Sequence, residues 1–222
     1  MKSFKWLYEH VAEHKVGEDI EALLPVPLSP EQLKAQPDDR LLSDMTRRIF
    51  RAGLKHSLVD AKWPEFEKAF FGFDPEKISL MSDEQLENLM QNEKLIRHWG
   101  KIKATRVNAF MMCQVAEKES SFAQFLAQWP ESDIVNLWAW MKKEGAQLGG
   151  NSGPYFLRMV GKDTFILTDD VVAALKAQGI VDKKPTAKRD LAVVQDAFNR
   201  WQDESGRPLC QISRLLSYTV GW

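Results

Sequence analysis

The chain has 222 residues, 44% of them hydrophobic and 27% charged, with a formal net charge of −1. That length can bury a core as one large domain or two small lobes, and the composition excludes a disordered polyelectrolyte. The near-neutral charge argues against an obligate coat of nucleic acid while leaving room for one basic face.

No apolar run approaches the ~18 residues that span a bilayer. The stretch Met1 to His10 carries charges where a signal peptide would be apolar, so a cytoplasmic protein without membrane contact is expected. Cys113 and Cys210 lie in apolar helical patterns, with no partner at a metal-ligand or redox spacing, and read as reduced core residues.

In chain order, nearly every periodic segment has helical spacing and none shows the sustained alternation of a half-buried strand, so the fold class is all-α. The spacing predicts a helix from Phe4 to about His14, then an irregular crossing from Val16 to Pro37 with a short helix from Ser29. Helices follow over Asp38–Arg51 and Leu54–Ala61, and another runs from Pro64 to about Phe70, with proline in its first turn. Phe73-Asp74-Pro75 restarts the chain, and Ser82-Asp-Glu-Gln opens a further helix with a polar cap. Beyond Met90 the pattern gives helices from His98 to about Lys118, Ser121 to Gln128 and Ile134 to Glu144. The last four are expected over Tyr155–Val160, Asp170–Gln178, Lys188–Asp203 and Leu209–Ser217, with the basic stretch Lys183–Arg189 as a connecting loop.

The most informative run lies between Gln147 and Leu175. Gly149-Gly150-Asn151-Ser152-Gly153 precedes a helical pattern, and Leu167-Thr168-Asp169-Asp170 opens the next one after an apolar stretch. A glycine-rich turn beside a helix start can present main-chain N–H groups to a phosphate, and an acidic pair can supply a carboxylate. The bland readings are a tight turn for the glycines and helix capping for the aspartates. This order resembles the helix-hairpin-helix DNA glycosylases, whose hairpin grips the DNA backbone and whose later aspartate works on a flipped nucleotide. Gly150 and Gly153 offer two registers for that hairpin, and the sequence does not choose between them.

A second resemblance covers Leu41 to Ala109. Ala52-Gly53-Leu54, the stretch from Trp63 through Phe73-Asp74-Pro75, and Leu95-Ile-Arg-His-Trp-Gly-Lys-Ile-Lys-Ala104 are similar to the 3-methyladenine DNA glycosylase I family. The resemblance places Ala52-Gly53-Leu54 at the turn that wedges into the gap left by an extruded base, with Leu54 or Lys55 as the plug; the alternative for Leu54 is a core residue. The chain departs from that family where it reads the base: the family's glutamate is replaced by Arg48 and its pocket tryptophan by His56. The family's zinc ligands are not reproduced either. His10 and His14 read as a solvated pair, and no metal or cofactor is expected.

The acid resembles the wider superfamily instead. Leu167-Thr168-Asp169-Asp170 is similar to the Leu-Pro-Asp-Asp of the broad-range alkylpurine glycosylases, which makes Asp170 the implied catalytic carboxylate and Asp169 a cap or support. Breaking an N-glycosidic bond builds positive charge on the sugar, and a nearby carboxylate can stabilise it and orient water. No lysine stands near the hairpin position of a Schiff-base amine, where Ser152, Pro154 and Tyr155 lie, so water is the expected nucleophile.

Candidate phosphate contacts are the hairpin residues Gly149, Gly150, Ser152 and Gly153, together with Lys101 and Lys103 from the basic span Lys94–Arg106. Base-contacting candidates are Arg48, His56, Trp99 and Tyr155, while Trp129, Trp138, Trp140 and Trp201 read as core. The resemblance implies a two-lobe helix-hairpin-helix fold over 1–222, with an N- plus C-terminal lobe and a central lobe of about 41–165 carrying the hairpin. It implies a monomeric, monofunctional DNA glycosylase acting on double-stranded DNA that carries a damaged base, an alkylated purine first. The alternative is a non-catalytic binder of distorted or branched DNA on the same fold.

Overall fold

The computed structural model describes residues 1–220, and among these there is no strand. The first helix, α1 (Phe4–His14), is capped by Ser3, whose hydroxyl accepts from the Trp6 N–H, and it buries Phe4, Leu7 and Val11 on one stripe. The proline-rich crossing holds one 3₁₀ turn at Glu21–Leu23 and then α2 (Pro30–Lys34), opened by a capping box between Ser29 and Gln32. Next comes α3 (Asp38–Arg51), which buries Leu41, Leu42, Met45, Ile49 and Phe50.

α4 (His56–Ala69) departs from expectation, because Pro64 lies inside one continuous helix rather than starting a second. Proline removes a single i→i−4 hydrogen bond there. Burial of Val59, Trp63 and Phe66 on either side of it holds the helix together.

After a 3₁₀ turn at Phe71–Phe73 come α5 (Pro75–Ser79), capped by Asp74, and α6 (Asp83–Leu89), with a capping box between Ser82 and Gln85. α7 (Trp99–Glu119) is capped by the His98 ring and α8 (Phe122–Gln128) by Ser121. α9 (Ile134–Glu144) leads to the glycine turn and α10 (Ser152–Met159), which starts earlier than the Tyr155 expected. Pro154 sits in its first turn, where no intrahelical donor is required. The last three helices are α11 (Asp169–Ala177), α12 (Lys188–Ser205), ended by Gly206 in the left-handed region, and α13 (Leu209–Ser217).

The helices form two compact units. One comprises residues 1–28, 130–137 and the chain from Gly161 onward; the other comprises 29–129 and 138–160. In the first unit α13 packs on α11, α12 and α1. The extended segment 161–168 is buried along most of its length because its polar groups have partners. Lys162 pairs with Glu131 at 2.7 Å, and Asp163 takes the N–H groups of Leu209 and Cys210 at 2.7 and 2.8 Å, which caps α13. The Ile166 N–H donates to Ser213 at 3.2 Å. Gly161 is required where this segment begins: its φ is +86°, and a Cβ there would lie 2.4 Å from Leu28.

The second unit is built around α7, which packs on α3, α5, α6 and α8 and buries Ile102, Ala104, Ala109, Met111 and Met112. Across α3 and α4, Trp63 stacks on Phe66 and Phe73, with centroids 5.0 and 5.3 Å away. Its indole N–H donates to Ser43 at 3.0 Å, Ser43 donates to Glu67 at 2.7 Å, and Arg40 grips Glu67 with two hydrogen bonds of 3.0 Å.

Burial alone would raise the Glu67 carboxyl, but hydrogen bonds from Arg40 and Ser43 outweigh it and hold the group below its ordinary range. A carboxylate depressed in the folded state contributes stability above its unfolded pKa of about 4.3, and that stability is lost as pH falls through the folded value. Thermal melts are therefore expected to show a steeper loss of Tm on acidification below pH 5 for the wild type than for Glu67→Gln. The variant itself should lose about 1–3 kcal/mol at neutral pH through its weakened network. Identical pH slopes would remove Glu67 from the acid response.

Candidate functional site

In the second unit the glycine turn is shaped from both sides. Asn108 of α7 donates to the Ala146 carbonyl at 3.1 Å and accepts the Ala146 N–H at 2.7 Å, which ties the exit of α9 to the core helix. Gly150 has φ +59°, a conformation glycine adopts without strain. Gly153 is buried, and a Cβ there would lie 3.0 Å from the Leu148 carbonyl oxygen. Both glycines are thus needed, for different reasons.

The N–H groups of Ser152 and Gly153 donate to Gly149 O at 3.1 Å and Leu148 O at 3.2 Å. Those of Gly149 and Gly150 make no hydrogen bond among the described residues. The expectation that all four residues offer backbone donors is therefore narrowed to the first two, since closing the turn and starting α10 occupies the others.

The Ala52–Lys55 turn closes α3 and precedes α4. Gly53 has φ +80°, Leu54 is half-buried, and Lys55 and His56 are exposed. The turn is held by Lys101, whose ammonium donates to Ala52 O at 2.7 Å and Phe50 O at 3.3 Å and lies over the Phe50 ring. This corrects the expectation that Lys101 lies on a phosphate-contacting face: the residue is only 7% exposed. Burial, with a smaller repulsion from Arg48, lowers the Lys101 ammonium from its ordinary value. Lys103, two residues on, is exposed above the Trp99 ring, 5.5 Å from its centroid. Of the other cations in this span, Arg106 is engaged with Asp83 at 2.6 Å and Met81 O at 2.8 Å, while Lys94 and Arg97 are exposed.

Two base-contacting candidates far apart in sequence meet here. The Arg48 guanidinium of α3 sits 4.5 Å from the ring centroid of Tyr155 of α10, and both residues are half-buried. The Arg48 Nε is shielded from solvent with no hydrogen-bond partner, and no carboxylate among the described residues pairs with this arginine. Its neighbours do have acidic partners: Arg47 lies 3.9 Å from Asp44, and Arg51 lies 2.6 Å from Asp60. The Arg48–Tyr155 contact and the role of Lys101 were not visible in sequence, where nothing signals that positions 48, 101 and 155 converge.

In the first unit, α11 presents the acidic pair. Thr168, rather than either aspartate, is the N-cap: its hydroxyl accepts the Val171 N–H at 3.2 Å. This corrects the expectation that Asp169 caps the helix. Asp169 instead pairs with Lys184 at 3.2 Å. Asp170 is exposed in the first turn, and its carboxylate makes no hydrogen bond or ion pair among the described residues. With structural work done by Thr168 and charge pairing by Asp169, Asp170 keeps both oxygens open to solvent at the positive end of the helix dipole.

Two further features belong to this unit. A pocket of about 420 Å³ is lined by Met1, Lys2, Trp6, Ala174, Ala177, Gln178, Thr219 and Val220, and Asp170 does not line it. On α1, ligand atoms of His10, Glu13 and His14 lie within 4.8 Å of one another. The His10 ring stacks on Trp6, and the His14 Nδ1–H donates to the His10 carbonyl at 2.7 Å. Of the tryptophans expected in the core, Trp138 and Trp201 are buried, whereas Trp129 and Trp140 are half-buried around Phe125.

Comparison with known proteins accounts for the second unit's layout. The methyladenine glycosylase family model matches residues 33–152, which include α3, the Ala52–Lys55 turn, α7 and all of the glycine turn but Gly153 and end before Asp170. DNA-3-methyladenine glycosylase 1 of Escherichia coli (strain K12) is 36% identical over 76 residues, 34% of this chain and 41% of that protein. The chain thus spans about two-fifths of the length of the curated relatives it matches. A crystal structure of 3-methyladenine DNA glycosylase I superposes with a TM-score of 0.50 at 26% identity, over 65% of this chain and 89% of that one. The 8-oxoguanine DNA glycosylase of Thermotoga maritima superposes with a TM-score of 0.55 over 98% of this chain and 95% of its own, at 16% identity, a likeness of fold alone. The all-α architecture is therefore that of the helix-hairpin-helix DNA glycosylases, and with more than half of its residues matched by the family model, the chain belongs to the methyladenine glycosylase family.

Proposed function

We propose that this chain is a monofunctional DNA glycosylase that hydrolyses the N-glycosidic bond of a flipped, damaged purine in double-stranded DNA, alkylated purines first, and that it works as a monomer. The observation that carries the reading is the Asp170 carboxylate, exposed and without a hydrogen-bond or ion-pair partner among the described residues, in a helix turn whose capping and charge pairing are done by Thr168 and Asp169. Family membership supports the same class of reaction.

In this reading water attacks C1′ of the nucleotide as the C1′–N bond breaks. The bonding pair leaves with the base, and Asp170 stabilises the developing positive charge on the sugar and takes the proton lost by water, which then passes to solvent or to the departing base. The Gly149 and Gly150 N–H groups hold a phosphate, Lys55 and Lys103 add cationic contacts, and Leu54 or Lys55 fills the gap left by the extruded base. Arg48, His56, Trp99 and Tyr155 contact that base. Lys101 acts as a positioning residue, because its ammonium holds the carbonyls on either side of Arg51 where the plug turn begins.

Incubation of DNA carrying 3-methyladenine, 7-methylguanine, hypoxanthine or 1,N6-ethenoadenine, followed by detection of free base, tests the enzyme. Asp170→Asn is expected to lower the single-turnover rate by about 10²–10⁴-fold with duplex affinity retained. Equal rates would remove Asp170 from the mechanism. Binding without release on any lesion would favour a non-catalytic binder of distorted DNA, the reading to which the loss of the family's glutamate and tryptophan at Arg48 and His56 lends some weight.

Gly150→Asn keeps a residue that tolerates the left-handed backbone while adding a side chain where the phosphate approaches. It is expected to weaken duplex binding by roughly tenfold, the loss of about one charge-assisted hydrogen bond, with Tm changed by only a few degrees. Unchanged affinity would move the phosphate contact away from this turn.

A further inference from the structure

Arg48 is an unusual cation for this protein. Arg40, Arg47, Arg51, Arg106 and Arg207 each have an acidic partner within 4.0 Å, whereas the half-buried Arg48 has none among the described residues. Its Nε, like those of Arg47 and Arg51, is hidden from solvent and unbonded, and its guanidinium carbon lies over the Tyr155 ring, 4.5 Å from the centroid. The nearby buried charge, the Lys101 ammonium, has the same sign. Burial lowers the Arg48 pKa, yet a guanidinium stays protonated in proteins, so the charge persists. A half-buried cation left without an anion turns its remaining donors to water or to acceptors from outside the protein.

Resting on the glycosylase reading and narrowing its alkylated purines to uncharged ones, we propose that Arg48 selects altered purines that present two neighbouring acceptors at positions 6 and 7, as the alkylated 1,N6-ethenoadenine does and, outside the alkylated class, hypoxanthine, and disfavours cationic N-methylated purines. The guanidinium is a planar fork of donors with no acceptor, and its best partner among bases is the O6/N7 pair of a purine edge. Hypoxanthine offers O6 and N7; 1,N6-ethenoadenine offers two ring nitrogens at the same places. In 3-methyladenine the edge carries an amino donor at position 6 on a positively charged ring, and in 7-methylguanine the methyl group blocks N7 on a ring that is likewise cationic. Both bring donor against donor or cation against cation beside Lys101, in a half-buried setting that screens the repulsion less than open water does. The Tyr155 ring supports this role, since it lies against the guanidinium without accepting its hydrogen bonds as a carboxylate would.

The test compares wild type, Arg48→Gln and Arg48→Glu on duplexes carrying a single 1,N6-ethenoadenine or hypoxanthine and on methylated DNA containing 3-methyladenine and 7-methylguanine. Base release is measured in single turnover, and circular dichroism melts establish that each variant folds. The wild type is expected to release the neutral bases about 10- to 100-fold faster than the cationic ones, the discrimination one bidentate arginine contact supplies. Arg48→Gln should flatten that ratio, and Arg48→Glu should reverse it. A wild type that prefers the methylated purines, or a ratio unchanged in Arg48→Gln, overturns the assignment while leaving the glycosylase reading intact. No release from any substrate overturns the glycosylase reading instead. Equilibrium binding of the same duplexes then decides the role of Arg48: a neutral-base preference lost in Arg48→Gln upholds it, and equal affinities end it.

Discussion

The candidate site in the second unit depends on one buried ammonium. Lys101 lies in the first turn of α7, where its charge faces the positive end of its own helix dipole and gains nothing locally. Its favourable partners come from another helix, the carbonyls of Phe50 and Ala52 at the C-terminal end of α3, which have lost their intrahelical donors. The contact thus satisfies an otherwise open helix end and joins α7 to α3. It also holds the chain where the left-handed turn at Gly53 begins, just before Leu54 and Lys55.

In each unit a charged residue at the candidate site has no hydrogen bond or ion pair among the described residues, beside neighbours that do the capping and pairing. On α11, Thr168 satisfies the helix start and Asp169 pairs with Lys184, so Asp170 is left with only the favourable field of the helix start. On α3, Arg47 and Arg51 have acidic neighbours and Arg48 has a tyrosine ring. Folding stability does not account for either arrangement, since a carboxylate at a helix start would contribute more as the cap, and a half-buried guanidinium more with a carboxylate beside it. Such departures from local consistency are expected where a protein is built to meet a ligand.

Family membership and the acid come from different parts of the chain. The family match runs from α2 to the start of α10 and takes in the Ala52–Lys55 turn and all of the glycine turn but Gly153. Asp170 follows it, at the end of a buried extended segment whose polar groups are satisfied by Glu131, by the start of α13 and by Ser213. That segment leads directly into the first turn of α11 and is held in place by those contacts. Arg48 and His56 mark where this chain leaves the pattern of its family, and the first of them lies over the Tyr155 ring with no carboxylate paired to it among the described residues.

Much of the fold was legible in the sequence because helical periodicity and capping are local. Ser3, Ser29, Ser82 and Ser121 announce their helices through side chains that reach backbone only two or three residues away. Where local rules misled, packing had decided: Pro64 looked like a helix start, but aromatic burial around it made it an interior residue. The sequence by itself determined the all-α class, the turn glycines and the acidic pair, since each rests on neighbours in the chain. Only the tertiary structure decided that Lys101 is buried on the end of α3, that Arg48 meets Tyr155, and that Thr168 caps α11 in place of the aspartates. The first two join positions about 50 to 110 residues apart, a juxtaposition set by how amphipathic faces pack and invisible to any local pattern. The third is a competition between adjacent side chains for the same N–H group, which backbone geometry settles.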